Sequence, residues 1–350
     1  MRTVIVLGAA LAALAPAAVS QAGQRYTVAG DNVAIYNLAG IVRVEGGPAG
    51  DVVVEVTRVG ADAAKLEVAT GPIGTRQTLR VIYPDDVILY EPMGRRSSSD
   101  LEVRDDGTFS GDSRVFGRGH RVRINGDGSG LDAHADLRIV VPPGRRIAIY
   151  LAVGKMTATN VNGDVKLDVS SADVSASGMR GSLAVDAGSG DVNVTDAAGD
   201  LDLDTGSGNV VVSGARGDDL LIDTGSGDVT VDHAEGRSLK IDTGSGNADA
   251  TAVKADDLAI DTGSGDVTLE LLSGGGSIDI DTGSGEVNLT LPTDYSADVV
   301  LDTGSGDIDL GGISVTVRKI AEDHVEGRIG DGKGRLHVET GSGDVRLKKA

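Results

Sequence analysis

The chain has no cysteine and no tryptophan, only 2% of its residues are aromatic, and proline occurs 8 times in 350 residues. Without cysteine there are no disulfides, no thiolate metal sites and no lipid-modified cysteine anchor. Scarce proline, with 52 glycines that follow no G-X-Y period, excludes proline-rich disorder and collagen. Past the N-terminus no apolar run approaches the roughly 20 residues of a transmembrane helix. A core with so little aromatic mass must be thin and made of many Val, Leu, Ile and Ala side chains. Stability then has to come from packing and backbone pairing.

What is present begins with Met1-Arg2-Thr3, an apolar run over residues 4–14, Pro16 and small residues to Ala22. This layout predicts a secretory signal peptide over residues 1–22, with cleavage near Ser20 or Ala22 and release of the mature chain after export. The net charge of −21 is concentrated, with 30 acidic against 6 basic residues between positions 160 and 311. Such acidity repels nucleic acid and anionic lipid, and suits either a solvated face or cations.

The dominant feature is an internal repeat. G-S-G triplets start at Gly188, Gly206, Gly225, Gly244, Gly263, Gly283, Gly304 and Gly341, at spacings of 18, 19, 19, 19, 20, 21 and 37. The last interval fits two turns, one without the motif, and Ser170-Ser171-Ala172 holds the same place one step earlier. The array therefore starts by about residue 160. Inside one repeat, Leu201-Asp202-Leu203-Asp204-Thr205 alternates, Gly206-Ser207-Gly208 turns, and Asn209-Val210-Val211-Val212 alternates again. Period two means strand. Leu201, Leu203, Val210 and Val212 point inward and Asp204 outward, while second corners follow at Ala215-Arg216-Gly217, Ala234-Glu235-Gly236 and Ser273-Gly274-Gly275. A unit this small cannot bury its own apolar face, so turns must stack. This predicts an all-β, parallel β-solenoid of about 19-residue coils. An antiparallel meander of hairpins is the rival. Whether a coil has two or three strand faces stays open.

Before the array, residues 26–84 alternate without G-S-G, as in Val33-Ala34-Ile35-Tyr36 and Val42-Arg43-Val44, and read as an irregular N-terminal β cap. Residues 92–130 are rich in Gly, Ser and Arg, with Arg114, Arg118, Arg121 and Arg123 clustered, and predict a loop or protruding hairpin. The expected organisation is thus a signal peptide at 1–22, a capping region at 23–91, an insert at 92–130, and the solenoid with its C-terminal cap at 131–350.

Several motifs suggest chemistry. The context Ile222-Asp223-Thr224-Gly225-Ser226 matches that of pepsin-like aspartic proteases, which need two carboxylates sharing one proton. Here the motif recurs at Asp204, Asp223, Asp242, Asp261, Asp281 and Asp302, at the pitch of the repeat, and reads as a corner. The ladders Asp204, Asp223, Asp242, Asp261 and Asn209, Asp228, Asn247, Asp266 would place acids about 4.8 Å apart, and a weakly held calcium ion would relieve their repulsion. The rival is that these side chains accept hydrogen bonds from corner amides and face water. His120, His134, His233, His324 and His337 show no metal-ligand spacing and read as surface residues. Neither a G-x-S-x-G elbow nor a P-loop occurs. A glycan-processing β-helix would need paired carboxylates in a groove with aromatic platforms, yet Tyr295 is the one aromatic residue between positions 160 and 311. No catalytic, cofactor-binding or metal residue is therefore assigned, and no cofactor is expected.

The alternating N-terminal stretch, the step Val141-Pro142-Pro143-Gly144 and the serial D-x-x-S-G-D-V units, as in residues 223–229, together resemble the bacterial putative-adhesin domain of unknown function with β-helix-like repeats. The resemblance runs from about Val33 to the C-terminus and does not include residues 92–130. It implies an exported or envelope-associated solenoid without catalytic residues. The expected partner is an envelope protein or glycan, and the expected location is periplasmic, cell-surface or extracellular. A polysaccharide-processing enzyme and a calcium-binding scaffold are the alternatives.

Overall fold

The computed structural model describes residues 23–109, 119–273 and 276–350. The expected signal peptide, Arg114, Arg118 and the corner glycines Gly274 and Gly275 lie outside the described residues. Elsewhere the alternating segments are strands, and those of the repeat array from residue 163 to 291 pair in parallel with their equivalents in the neighbouring coil. Leu203 faces Ile222 and Asp204 faces Asp223 between Leu201–Thr205 and Arg216–Thr224, and Val210–Ser213 lies in register with Val229–Asp232. The chain is therefore an all-β parallel solenoid, and the hairpin meander is excluded. A third, short ladder closes each coil. Asn162, Arg180, Ala198 and Arg216 bridge in succession, and Arg216 and Gly217 pair with Glu235 and Gly236.

Stacking in register turns each inward position into a column of like side chains. One column runs from Ile149 through Leu167, Val185, Leu203 and Ile222 to Ile280. All of these are buried, and each contributes about 1.5–3 kcal/mol of apolar burial. The small Ala215 and Ala234 fill the narrow third side.

The G-S-G corners bring backbone against backbone. A Cβ on Gly246 would lie 2.0 Å from the carbonyl oxygen of Gly227, and one on Gly227 would lie 2.0 Å from that of Gly208. No side chain fits there. The threonine that ends each first strand points inward, and its hydroxyl donates to a corner carbonyl of the previous coil: Thr243 to Gly227 at 3.2 Å, Thr262 to Gly246 at 3.1 Å. Thr205, first in the threonine run, has a buried hydroxyl oxygen with no partner.

Both ends of the stack depart from chain order. The strands Ser277–Thr282 and Val287–Leu291 pair with the last segment, Gly334–Thr340 and Val345–Lys349, and Ala297–Thr303 lies outside it. The 37-residue interval thus contains no second motif-free turn, which corrects the expectation from spacing. It holds an antiparallel hairpin, Val315–Ile320 with His324–Ile329, laid on Ala297–Thr303. Residues 330–333 then carry the chain back around Ser296, whose hydroxyl accepts the amides of Asp331 and Lys333 at 2.9 and 3.3 Å. Spacing counts residues along the chain, so it cannot distinguish an extra coil from a hairpin and a return.

The N-terminal end is built the same way. Asn32–Gly46 is a full coil layer, held between Arg145–Thr159 on one side and Arg76–Ile82 with His134–Val141 on the other. The antiparallel strands Val52–Val59 and Gln24–Val28 cover that end. Residues from 87 to 132 add a separate four-stranded sheet, in which Ser98–Arg104 and Gly119–Asn125 form an antiparallel pair. Phe109 docks this insert edge-on against the stacked rings of Tyr36 and Tyr150, which lie 4.4 Å apart.

Two substitution pairs test this packing by thermal melts. Gly246→Ala should cost about 2 kcal/mol or more, whereas Ser245→Ala, at an exposed position, should shift stability by less than about 0.5 kcal/mol. Thr243→Val should cost about 1 kcal/mol, and Thr205→Val should be neutral or stabilising because it removes an unpartnered hydroxyl.

Candidate functional site

Outward positions of the first strand form one continuous column: Asp186, Asp204, Asp223, Asp242, Asp261, Asp281, Glu339, Asp302. Partial burial, and next the neighbouring acids, raise the carboxyls of Asp204 and Asp261 above the usual range. Relief comes at one coil in the middle, where Lys240 reaches Asp242 at 3.6 Å, and at the ends. Lys166 reaches Asp168 at 3.2 Å and Asp186 at 3.7 Å, and His324 Nδ1 lies 2.5 Å from Asp302. Farther toward the N-terminus the same column becomes Tyr150 and Tyr36, where burial and then Tyr150 push the Tyr36 phenol up to about 12.

The column after the G-S-G corner behaves differently. Its side-chain oxygens accept the backbone amide of the next coil: Asp191 from Asn209 at 2.9 Å, Asn209 from Asp228 at 3.0 Å, Asp228 from Asn247 at 2.8 Å, Asn247 from Asp266 at 3.0 Å. Asp and Asn serve equally because only the oxygen is used, and their alternation dilutes the charge. Among the described residues no group of three or more His, Cys, Asp or Glu is placed to hold a metal ion.

The third side forms a channel of about 840 Å³. Its floor is the stacked backbone of Gly181, Gly199, Gly217 and Gly236. One wall runs Arg216, Glu235, Lys254 and the other Asp218, Arg237, Asp256, so each sign reverses at the Glu235 coil. Lys254 meets Glu235 at 2.6 Å, and Arg237 pairs with Asp219. The reversal converts like-charge stacking into ion pairs along the axis.

A second concavity, about 600 Å³, lies between the insert and the coil corners. Ile41, Val153, Lys155 and Ser171 come from the corners; Tyr90, Pro92, Met93, Ser97 and Ser98 come from the insert. Here the repeat changes character. Val153-Gly154-Lys155 lies in register with Ser171-Ala172-Asp173, so an apolar residue replaces the corner serine and a lysine replaces the acid. Nothing in the G-S-G pattern marks this site; the signal for it in the sequence is the alignment of residues 151–155 with 169–173, which shows the swap.

Four of the five histidines have a carboxylate beside them: His120 with Asp86, His233 with its chain neighbour Asp232, His324 with Asp302, His337 with Asp279. His134 is partly buried against the Tyr90 ring, and that burial lowers its pKa. In the arginine cluster, Arg121 and Arg123 share Asp100 at 3.0 and 2.9 Å, and the hydrogen bond from Arg123 leads in holding that carboxyl below its usual range.

The sequence profile of the Toastrack DUF4097 family matches residues 137–348. The chain belongs to this family. The profile covers the regular coils and the returned C-terminal segment, and it starts after the insert. Two solved structures are similar: a "putative adhesin" from Bacteroides fragilis, with a TM-score of 0.35, 12% identity and coverage of 95% of this chain and 98% of that one; and a "putative cell adhesion protein" from Clostridium sporogenes, with a TM-score of 0.21, 11% identity and coverage of 94% and 100%. No curated protein matches. Among the described residues no helix is long and apolar enough to cross a membrane.

The acid column sets a pH dependence. A carboxyl whose folded pKa is raised binds its proton more readily in the folded state, so stability grows as pH falls through that pKa. Carboxyls held low, such as Asp298 beside Arg328, lose their contribution only below the ordinary carboxylate range near ~4. The melting temperature should therefore be highest on the acid side of neutrality and above that range. Asp223→Asn should raise it at pH 7, by less in high salt. A melting temperature that climbs steadily toward alkaline pH would contradict this.

Proposed function

We propose that this chain is an exported, non-catalytic binding module of the bacterial cell envelope, with an envelope glycan as its partner. The observation that carries this reading is the uniformity of the coil faces. The outward carboxylates form ladders that repeat with the coils, and the amide-capping ladder is already committed to backbone. An enzyme acting on polysaccharide needs two non-repeating carboxylates facing one scissile bond, whereas the cleft beside the insert is lined by a single one, Asp173. We read residues 1–22 as the leader that directs export, 23–91 as the cap, 92–130 as the insert and 131–350 as the array. The insert supplies one surface that does not repeat with the coils, which suits recognition better than a flat repeating ladder.

Incubation of the mature chain with isolated envelope polysaccharide tests both parts. Co-sedimentation with no new reducing ends is expected. Release of reducing ends would overturn the non-catalytic reading, and failure to sediment with any envelope fraction would overturn the binding reading.

A further inference from the structure

The cleft between insert and coil corners is the place where the repeat's own chemistry is withdrawn. In the coils from Asp191 to Asp266 the residue after the corner is Asp or Asn, and its oxygen accepts an amide from the next coil. Lys155 holds that position in its coil. An ammonium has donors only and cannot accept an amide hydrogen, so Lys155 is released from the structural ladder. It is exposed and forms no ion pair among the described residues. Its register neighbour Asp173 accepts the amide of Asp191 at 3.2 Å.

The surroundings fit one kind of ligand. Ile41 and Val153 give an apolar floor, and Pro92 and Met93 give an apolar wall. Ser97, Ser98 and Ser171 offer hydroxyls that both donate and accept. The volume of about 600 Å³ lies within the ~300–1,000 Å³ typical of small-ligand sites. A ring with one apolar face, several hydroxyls and one carboxylate matches this set, which describes an acidic sugar. The strongly acidic array does not forbid such a ligand. The one acid lining the cleft, Asp173, is engaged by the Asp191 amide at 3.2 Å, and repulsion from the acidic coils beyond decays over ~8 Å at physiological salt. An extended peptide would instead pair with the outer edge of Ser98–Arg104, whose one strand partner among the described residues is Gly119–Asn125. It would leave Lys155 unused.

We propose that this cleft binds a carboxylated sugar residue of an anionic polysaccharide, with Lys155 pairing its carboxylate. The proposal rests on the binding-module reading and specifies its ligand class and position. The test is calorimetric titration of the mature full-length chain, at physiological salt, with tetrameric oligogalacturonate and with its methyl ester. Saturable binding of the acid form is expected, roughly tenfold weaker for the ester. Lys155→Ala should weaken binding by roughly tenfold and Lys155→Glu should abolish it, with melting curves unchanged. Lys240→Ala, five coils along the axis from Lys155, should bind as the parent does. No saturable binding by the parent chain, equal binding of acid and ester, or binding that survives Lys155→Glu would each overturn the proposal. If these fail while the chain still sediments with envelope polysaccharide, the cleft assignment falls and the module reading stands. If sedimentation fails as well, both fall.

Discussion

Everything in this solenoid depends on backbone meeting backbone at the G-S-G corner. Each corner glycine sits with its Cα so close to the carbonyl of the coil below that a methyl group would overlap it. This contact fixes the coil-to-coil spacing on the inside of the turn. With that spacing fixed, the ladder of parallel hydrogen bonds stays in register, and like side chains fall on like. The apolar columns, the threonine bonds to corner carbonyls and the amide-capping Asp and Asn all follow from it.

The same register imposes a cost, because identical positions bring identical charges together. The chain answers in three ways. It commits one acidic column to backbone amides and dilutes it with Asn209 and Asn247. It reverses both walls of the third side at Glu235 and Arg237, which makes ion pairs with Lys254 and Asp219. It leaves the Asp204 to Asp281 column as a row of acids, relieved by Lys240 at Asp242 and by Lys166 and His324 at the ends. A column that keeps its repulsion is the one least explained by folding. The cleft at Lys155 is the matching exception in sign, where the repeat gives up both an acceptor and a negative charge.

The regular coils were legible in the sequence because their physics is local. Alternation gives the strands, a G-S-G triplet gives the corner, and near-constant spacing gives stacking. What stayed hidden was long-range. Val315–Ile320 alternates like any strand, yet it pairs in a hairpin at the end of the stack. Gly334–Thr340 carries the repeat pattern, yet it slots between coils that precede it in the chain. The role of Asn32–Gly46 as a coil layer was hidden because its corner, Ala39-Gly40-Ile41, lacks the signature serine and acid. The ion pairs of the histidines were invisible for a related reason: three of the four partners, Asp86, Asp302 and Asp279, lie 22 or more residues away in the chain.

The C-terminal segment is locked inside the stack, between Ser277–Thr282 and Ala297–Thr303, so that stability does not decline along the chain toward its last residue. Amide hydrogen exchange resolved by residue measures this directly. The account predicts that amides of Gly334–Thr340 are as strongly protected as those of Ser277–Thr282, while those of Val315–Ile320, the outermost strand, exchange fastest. Protection that falls steadily from residue 277 to residue 350 in chain order would contradict it.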